Sequence, residues 1–375
     1  MVLAVISHTR HFKDMNGNVV GWGPTVREMN YLATKFETVY HCAPLHEEEI
    51  PPSSLGYAES NIVFVPLIPS GGNSLVHKLG VLRYAIENIR RIKRTIERVD
   101  VFQFRAPTGM GIYAIPFLNL MVSKKGWFKY AGNWAQKRPP FGYAIQRFYL
   151  KHQTKRKVTI NGKWPGQPDH CITFENPCLF DEELQKGVQS IEEKRYDGKL
   201  DFCFVGRLET AKGVRRILEA FTSLGAHPRV NKIHLIGDGV EKKEFEKMAK
   251  TVESEVIFHG YLGRDKIGDI LQSCHVFLLP STASEGFPKA IAEAANYGCV
   301  PVVSDVSSIG QYIHQYENGF LVDHRVTSCD ALLERLLEVL ESKELKTMAS
   351  SAAKIVDKFT FRHYYTRIIS EVIDS

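Results

Sequence analysis

The chain has 375 residues, more than one typical domain holds, so two domains are expected. With 44% hydrophobic and 24% charged residues its composition is that of a soluble globular protein, and no apolar run reaches the about 18–20 residues that cross a bilayer. No basic leader precedes the short strand at Met1–Ile6, which argues against a secretory signal, and seven cysteines without a C-x2-C pair indicate reduced thiols in the cytosol rather than a zinc site or a nucleophile.

Charge is distributed unevenly. Residues 1–187 contain 24 Lys and Arg against 15 Asp and Glu, whereas the remainder contains 24 against 27. Within residues 78–157 there are 18 basic residues and three acidic ones. The first half is therefore expected to carry a strongly positive surface.

The chain opens with the strand, loop and helix that begin a Rossmann-like unit. The strand is predicted at 2–6, a long glycine-containing loop at 8–24, and a helix at 25–36 with one apolar face. Because Gly21-Trp-Gly23 is not G-x-G-x-x-G, a flexible surface loop remains an alternative to a phosphate-binding one.

Three further strands, at 38–42, 61–66 and 99–104, and a long basic helix at 76–98 continue this pattern. Arg105 follows the strand at 99–104, and Asn133 follows the next apolar segment. Parallel α/β sheets place ligands at the carboxyl ends of their strands, so both residues fall in functional positions. Local hydrogen bonding within a loop is an equally weighted alternative for each.

Residues 137–157 are both basic and aromatic, with Lys-Arg-Pro-Pro-Phe-Gly-Tyr followed by Arg-Phe-Tyr-Leu-Lys and Lys-Arg-Lys. Such a segment could lie against anionic lipid headgroups, or could simply be a solvated helix face. Nucleic acid is not expected as a partner, since no RNA- or DNA-binding motif is present. A polar stretch at 181–198 is predicted to hold the domain boundary.

The second half contains a loop with two cations. A strand at 200–206 leads into Arg207-Leu-Glu-Thr-Ala-Lys212-Gly, and a helix follows at 214–224. Two cations at the carboxyl end of a strand, beside a helix start, can hold a diphosphate from two sides. Exposed loop cations with no ligand are the alternative.

The most informative stretch is 281–298, which follows an apolar strand at 274–280. Pro288 suits the first turn of a helix, and Gly298 suits its end. Glu285 is then expected just outside the helix N-terminus and Glu293 within the helix. Carboxylates bind sugar hydroxyls and N–H groups at a helix start bind phosphate oxygens, so the element is a plausible cradle for a nucleotide-sugar, although two surface glutamates on an amphipathic helix would give the same pattern.

In these two stretches the sequence resembles the retaining glycosyltransferases of family 4 and their GT-B relatives. Glu285 and Glu293 stand at the E-x7-E spacing, and Gly206-Arg-Leu-x-x-x-Lys-Gly resembles the phosphate-binding loop of that family. The resemblance implies an α/β protein of the GT-B fold, with two Rossmann-like β/α/β domains that face each other across a cleft. Residues 1–187 would form the acceptor-side domain, residues 188–358 the donor domain, and residues 359–375 a helix that crosses back to the first domain, with packing on the second domain as the alternative.

The resemblance also implies residue roles. Arg207, Lys212 and Glu285 would act in catalysis, the two cations on the diphosphate and Glu285 on the sugar, while Arg105 and Asn133 would lie on the acceptor or sugar side. Asn133 stands where relatives often have histidine, which puts a histidine-based role in doubt. The donor would be bound by a larger set: Gly23, Gly206, Gly286, Phe287, Pro288, Lys289 and Glu293.

The expected reaction is transfer of a sugar from a UDP-, GDP- or ADP-sugar to a glycan or lipid-diphosphate-linked acceptor, with retention of anomeric configuration. No cofactor and no metal are expected, because no D-x-D motif follows a strand and fixed cations can replace the metal. Bacterial surface polysaccharide biosynthesis is the expected pathway, in the cytoplasm or at the inner face of an anionic membrane. A non-catalytic sugar-nucleotide-binding protein and another GT-B enzyme, such as a nucleotide-sugar epimerase, are the alternatives.

Overall fold

The computed structural model describes residues 1–70, 83–283, 286–323, 325 and 328–374. It contains two compact units, the first formed by Met1–Glu175 with Tyr364–Ser375 and the second by Asn176–His363. The sequence-based limits of 1–187, 188–358 and 359–375 stay a prediction about domains, and the compact units divide instead after Glu175 and before Tyr364.

The first unit is built on a seven-stranded parallel sheet and a three-stranded antiparallel sheet. In chain order, its strands are β1 (Val2–Ile6), β2 (His11–Lys13), β3 (Val19–Trp22), β4 (Thr38–Pro44), β5 (Ser54–Gly56), β6 (Ile62–Leu67), β7 (Val101–Ala106), β8 (Lys125–Tyr130), β9 (Val158–Ile160) and β10 (Cys171–Thr173). The large sheet has the order β10-β9-β8-β7-β1-β4-β6, and β2, β3 and β5 form the small one.

Helices cover the large sheet on both faces. They are α1 (Gly23–Ala33), α2 (Ala85–Ile96), α3 (Gly111–Leu120) and α4 (Phe141–His152), joined later in the chain by part of Phe361–Arg367 and the π-helical turn Ile368–Ile373. Side chains of β1 alternate between the faces, since Leu3 and Val5 pack with α1 and the C-terminal segment, whereas Ala4 and Ile6 pack in the other core cluster.

The prediction of a long loop at 8–24 is wrong. It contains the antiparallel hairpin of β2 and β3, in which His11 pairs with Gly21 and Lys13 with Val19. Gly17 turns the chain with a φ of 81°, which only glycine adopts without strain. At Gly21 a Cβ would stand 2.3 Å from the His11 ring, so this glycine permits close packing rather than flexibility.

The long helix predicted at 76–98 can be followed only in part. Residues 71–82 lie outside the described residues, and the described helix α2 spans Ala85–Ile96. The next helix along the chain, α3, contains no charged residue.

The second unit is built on a six-stranded parallel sheet of order β13-β12-β11-β14-β15-β16. Its strands are β11 (Leu200–Val205), β12 (Val230–Ile236), β13 (Glu255–Gly260), β14 (Val276–Leu279), β15 (Val300–Ser304) and β16 (Phe320–Val322). Its helices are α5 (Asp181–Glu193), α6 (Val214–Leu224), α7 (Lys242–Met248), α8 (Arg264–Ser273), α9 (Lys289–Asn296), α10 (Asp330–Glu341), α11 (Leu345–Ala353) and α12 (Phe361–Arg367), whose last residues belong to the first unit.

The polar stretch at 181–198, where the sequence predicts the domain boundary, is largely helical. It forms α5, which belongs to the second unit, and three acidic residues occupy its first turn. The Glu183 carboxylate accepts the Phe180 N–H at 2.9 Å, so an acidic run that looks like solvated linker in the sequence is a capped helix start.

Both units are therefore α/β units with a parallel Rossmann-like sheet, as predicted. No helix among the described residues is both long enough and apolar enough to cross a membrane.

Candidate functional site

The order of strands in the second sheet identifies where a ligand would bind. β11 lies between β12 and β14, and the chain runs outward from β11 on one side and from β14 on the other. The two strands therefore flank the topological switch point, where loops at the carboxyl ends diverge and leave a crevice. Residues 206–213 follow β11, and residues 280–288 follow β14.

Backbone hydrogen bonds connect the loop after β11 to the end of β12 and the turn that follows it. Gly206 donates to the Ile236 carbonyl at 3.0 Å, and Leu208 donates to the Asp238 carbonyl at 2.9 Å. Gly213 has a φ of 92°, and a Cβ there would stand 2.4 Å from the Pro280 carbonyl oxygen. A glycine is thus required where this loop meets the segment after β14.

Several hydrogen bonds join the two loops at a single acceptor, the Ala211 carbonyl. The Ala211 carbonyl accepts the Thr282 N–H at 2.9 Å, the Ala283 N–H at 3.2 Å and the Ser281 hydroxyl at 3.0 Å. The loop that carries Arg207 and Lys212 is consequently fastened to the segment that leads toward Glu285. Glu285 itself lies outside the described residues.

The two predicted cations differ in their surroundings. Arg207 is 68% exposed and donates to the Glu209 carboxylate at 2.7 Å. Burial and then the neighbouring Arg207 lower the pKa of Lys212 to about 8, against a smaller opposing effect of Glu209. A bound diphosphate would favour the charged lysine and reverse this shift. No group of three His, Cys, Asp or Glu side chains in the described ranges is arranged to hold a metal ion.

Residues 286–289 form the start of the predicted helix. Gly286 and Phe287 are buried, and the Phe287 ring stacks on Phe359 with a centroid distance of 4.5 Å. Pro288 is the residue before α9, and Lys289 is the first residue in it. The Phe287 ring therefore anchors this segment in the core of the second unit.

Glu293, the predicted ribose ligand, is held by an arginine that the sequence analysis did not identify. Arg264, at the start of α8, donates to Glu293 at 2.5 Å and contacts both oxygens of Glu183. Burial opposes the positive charge of Arg264, but the carboxylates of Glu293 and Glu183 outweigh burial and raise its pKa. Because the three residues are 29 to 110 positions apart in the chain, no local motif could have revealed the group.

In the first unit, the switch point lies between β1 and β7. Arg105 of β7 stands opposite Lys129 of β8 in the parallel register, and both contact the buried Glu28 carboxylate of α1, at 2.7 and 2.9 Å. Lys129 also donates to the Tyr364 hydroxyl at 3.2 Å. Arg105 is thus part of an ion-pair network rather than an isolated loop residue.

The other predicted residues of the first unit, Gly23 and Asn133, make local contacts. Gly23 begins α1 and donates to the Ser53 carbonyl at 2.9 Å, and a Cβ there would stand 3.0 Å from the same oxygen. The Asn133 side chain accepts the Ala135 N–H at 3.0 Å.

A second polar cluster beside β1 was not anticipated. Tyr57 lies within hydrogen-bonding distance of His41 Nδ1 and His11 Nε2, at 2.6 and 2.9 Å, while His41 Nε2 lies 2.9 Å from the Ser7 hydroxyl. His11 Nδ1 lies 2.8 Å from the Thr9 carbonyl, so this nitrogen must carry a proton. With both rings neutral, the Ser7 hydroxyl donates to His41 Nε2, His41 Nδ1 donates to the Tyr57 hydroxyl, and the Tyr57 hydroxyl donates to His11 Nε2.

The chain is similar to known glycosyltransferases over about half of its length. The family model for glycosyl transferases group 1 matches residues 186–356. The UDP-Gal:alpha-D-GlcNAc-diphosphoundecaprenol alpha-1,3-galactosyltransferase of Escherichia coli is 27% identical over 179 residues, which are 46% of this chain and 45% of that protein. The chain spans about half the length of the curated relatives that it matches first.

Solved structures match over nearly the whole chain. Anabaena Alr3699/HepE in complex with UDP and glucose has a TM-score of 0.67 and 14% identity, with 98% of each chain covered. The lipopolysaccharide outer core galactosyltransferase WaaB has a TM-score of 0.68 and 16% identity, with 99% of this chain and 100% of that chain covered. At these identities the likeness shows the fold, which is GT-B as the sequence predicted.

Proposed function

We propose that the protein transfers a sugar from a nucleotide-diphosphate sugar to a glycan or lipid-linked acceptor, on the premise that residues 186–356 match the family model for glycosyl transferases group 1 in a chain with the GT-B fold. The observation that carries the proposal is the junction at the Ala211 carbonyl. It joins the loop with Arg207 and Lys212 to the segment before α9, at the switch point of a parallel sheet.

The chemistry follows from where charge develops. Breaking the bond between the anomeric carbon and the diphosphate increases the negative charge on the leaving group, so groups that bind this charge lower the barrier. Arg207, Lys212 and the N–H groups at the start of α9 are the proposed donors to the diphosphate, with the α9 dipole in the same sense. Gly206 and Gly286 would let the backbone approach, and Pro288 and Lys289 would lie beside the phosphates.

The two glutamates are proposed as binding groups. Glu285 would accept hydrogen bonds from the sugar hydroxyls, and Glu293 from the ribose hydroxyls. Arg264 fixes the direction of the Glu293 carboxylate, because a paired carboxylate in a partly buried place has few other orientations. We propose retention of anomeric configuration, as the resemblance to family 4 implies, and transfer without a divalent metal, since the fixed cations supply the positive charge.

On the acceptor side, the proposed residues are Arg105, Asn133 and, toward the donor phosphate, Gly23. The basic first unit suits an acidic or lipid-diphosphate acceptor, and the Escherichia coli relative is named for an acceptor on diphosphoundecaprenol. Another relative is a lipopolysaccharide 1,2-N-acetylglucosaminetransferase. We therefore propose a role in bacterial surface polysaccharide biosynthesis, in the cytoplasm at an anionic membrane surface.

Thermal unfolding with UDP-, GDP- and ADP-sugars tests donor binding. A donor at about 100 times its dissociation constant should stabilise the folded state by about 2.7 kcal/mol. Arg207→Ala and Glu285→Ala should diminish the shift in melting temperature. Arg195→Ala is the matched control, because Arg195 is also exposed and also pairs with a carboxylate two residues later, Asp197, but precedes β11 instead of following it.

Transfer is measured separately, by release of the free nucleoside diphosphate in the presence of a lipid-diphosphate-linked glycan and by NMR of the new anomeric bond. An inverted product would contradict the proposed retention. Donor binding without transfer to any acceptor would favour a sugar-nucleotide-binding protein, and no shift with any donor would overturn the proposed site.

A further inference from the structure

One face of the first unit is apolar where a helix normally meets water. Helix α4 buries Gln146 and Leu150 against the unit. On its opposite side, Phe141, Ile145 and Phe148 repeat at helical spacing and are all exposed, Phe141 by 82% and Phe148 by 67%. A surface helix ordinarily carries polar residues on its exposed side. Packing within the unit therefore does not account for these exposed apolar side chains.

Helix α3 extends this surface. A Cβ at Gly142 would lie 3.2 Å from Ile112, and Asn119 donates to the Tyr149 hydroxyl at 3.2 Å, so α3 and α4 run side by side in the same direction. No residue of α3 is charged, and Leu120 and Met121 at its end are 68% and 77% exposed. We call the combined surface the α3–α4 face; its exposed apolar residues are Ile112, Leu120, Met121, Phe141, Ile145 and Phe148.

The chain around this face has one sign of charge. Residues 101–168 contain 12 Lys and Arg and no Asp or Glu. Some of these cations serve the fold, since Arg147, Lys155 and Arg156 donate to backbone carbonyls. Others are exposed, among them Lys124 before β8 and Lys151 in the last turn of α4.

We propose that the α3–α4 face docks on an anionic lipid bilayer, with Phe141 and Phe148 inserted among the lipid headgroups. The combination of exposed phenyl rings and unbalanced lysines is the pattern that binds such surfaces, because apolar insertion and attraction to anionic lipid add together. A second copy of the chain fits less well, since a two-fold interface would place this basic face against itself. The inference rests on the proposed function only in the role that it gives to docking, which is to bring the enzyme to a lipid-linked acceptor.

Vesicle sedimentation with the full chain tests the proposal. Vesicles of phosphatidylcholine alone are compared with vesicles that contain about one third phosphatidylglycerol, at low and high salt. The expected result is binding to the anionic vesicles that weakens with salt. Phe141→Ser with Phe148→Ser should weaken it about tenfold or more, and Lys124→Gln with Lys151→Gln about twenty-five-fold, at about fivefold per cation.

The matched control removes two exposed apolar residues of the second unit, Val188→Ser with Val240→Ser, and should leave vesicle binding unchanged. Absence of binding to anionic vesicles, or equal binding by the wild type and both α3–α4 variants, would overturn the proposal. A dimer in solution that the Phe141→Ser, Phe148→Ser variant abolishes would overturn it in favour of a second copy.

The melting temperature with nucleotide-sugar separates this proposal from the proposed function. The Phe141→Ser, Phe148→Ser variant should keep the donor-induced shift of the wild type while losing vesicle binding. If the wild type binds anionic vesicles but shows no donor-induced shift, the docking face stands and the proposed donor site fails. The converse result leaves the donor site and removes the docking face.

Discussion

The two switch points of this protein are built in different ways. In the second unit, the carboxyl ends of β11 and β14 are joined through backbone groups, with the Ala211 carbonyl as the shared acceptor and Gly213 as the close contact. In the first unit, the carboxyl end of β7 is held by charged side chains, in which Arg105 and Lys129 share the Glu28 carboxylate.

The difference matters for what each site tolerates. A loop fixed by its backbone can present side chains such as Arg207 and Lys212 to a ligand without needing them for stability. In a buried ion-pair network the side chains themselves are needed for local stability, because removal of one partner leaves an unpaired buried charge. The loop after β11 should therefore tolerate substitution of its cations better than the ion-pair network at β7 does.

Replacement of Glu28 should have the largest effect. Glu28→Ala leaves Arg105 and Lys129 as buried cations without the carboxylate between them, so the free energy of unfolding should fall by about 3–5 kcal/mol. Urea denaturation of the variant and of Glu37→Ala, whose exposed carboxylate pairs with the N-terminus, measures the difference. A loss for Glu28→Ala as small as that of the control would contradict the comparison.

Acid should weaken the first unit through its histidine cluster. Burial lowers the pKa of His11 to about 4 from its ordinary value of 6.5, against the Thr9 carbonyl, which raises it. The folded state then keeps His11 neutral while the unfolded chain binds a proton, so stability is complete above pH 6.5 and is lost as the pH falls toward 4, by about 3 kcal/mol.

The test is the free energy of unfolding as a function of pH for the wild type and His11→Asn. The variant should be less stable near neutral pH and should lose less stability between pH 6.5 and 4, because its side chain does not titrate. His152→Asn, at an exposed position of α4, is the control and should follow the wild-type slope. Equal slopes for wild type and His11→Asn would show that the cluster does not control acid stability.

These networks also explain which features the sequence could reveal. The phosphate-side loop and the helix at 289–296 were predictable because their residues are contiguous and obey local rules of strand, turn and helix. The ion pairs of Glu28 with Arg105 and Lys129, and of Arg264 with Glu293, join residues that are far apart in the chain, so only the fold brings them together.

Two local differences between prediction and structure have physical causes of the same kind. The hairpin of β2 and β3 was read as loop because its strands have only three and four residues and depend on pairing with each other and with β5. The stretch at 181–198, which is predicted to hold the domain boundary, contains helix α5, because acidic residues typical of a solvated segment also stabilise a helix N-terminus.

Arg264 allows the role of ion pairs to be tested in the second unit as well. Its ion pair with Glu293 lies in a unit whose switch point is otherwise held by backbone hydrogen bonds. Arg264→Lys keeps a cation but cannot contact Glu293 and both oxygens of Glu183 at once. The KM for the donor should rise about tenfold while kcat changes less, because Glu293 is proposed to bind ribose in the ground state and the transition state alike. A fall in kcat at constant KM would instead place Glu293 at the reacting centre.

Lys212 gives the smallest and most specific effect. Because burial and Arg207 lower its pKa to about 8, the lysine loses its charge above that pH, and a diphosphate that needs the charged form should bind less tightly. The dissociation constant for the donor should be about fourfold higher at pH 8.5 than at pH 7. In Lys212→Arg the side chain stays charged over this range, so the dependence on pH should vanish even if the affinity changes. An unchanged pH dependence in Lys212→Arg would mean that a group other than Lys212 titrates. The charge of Lys212 would then contribute less to the affinity for the donor than the backbone of its loop does.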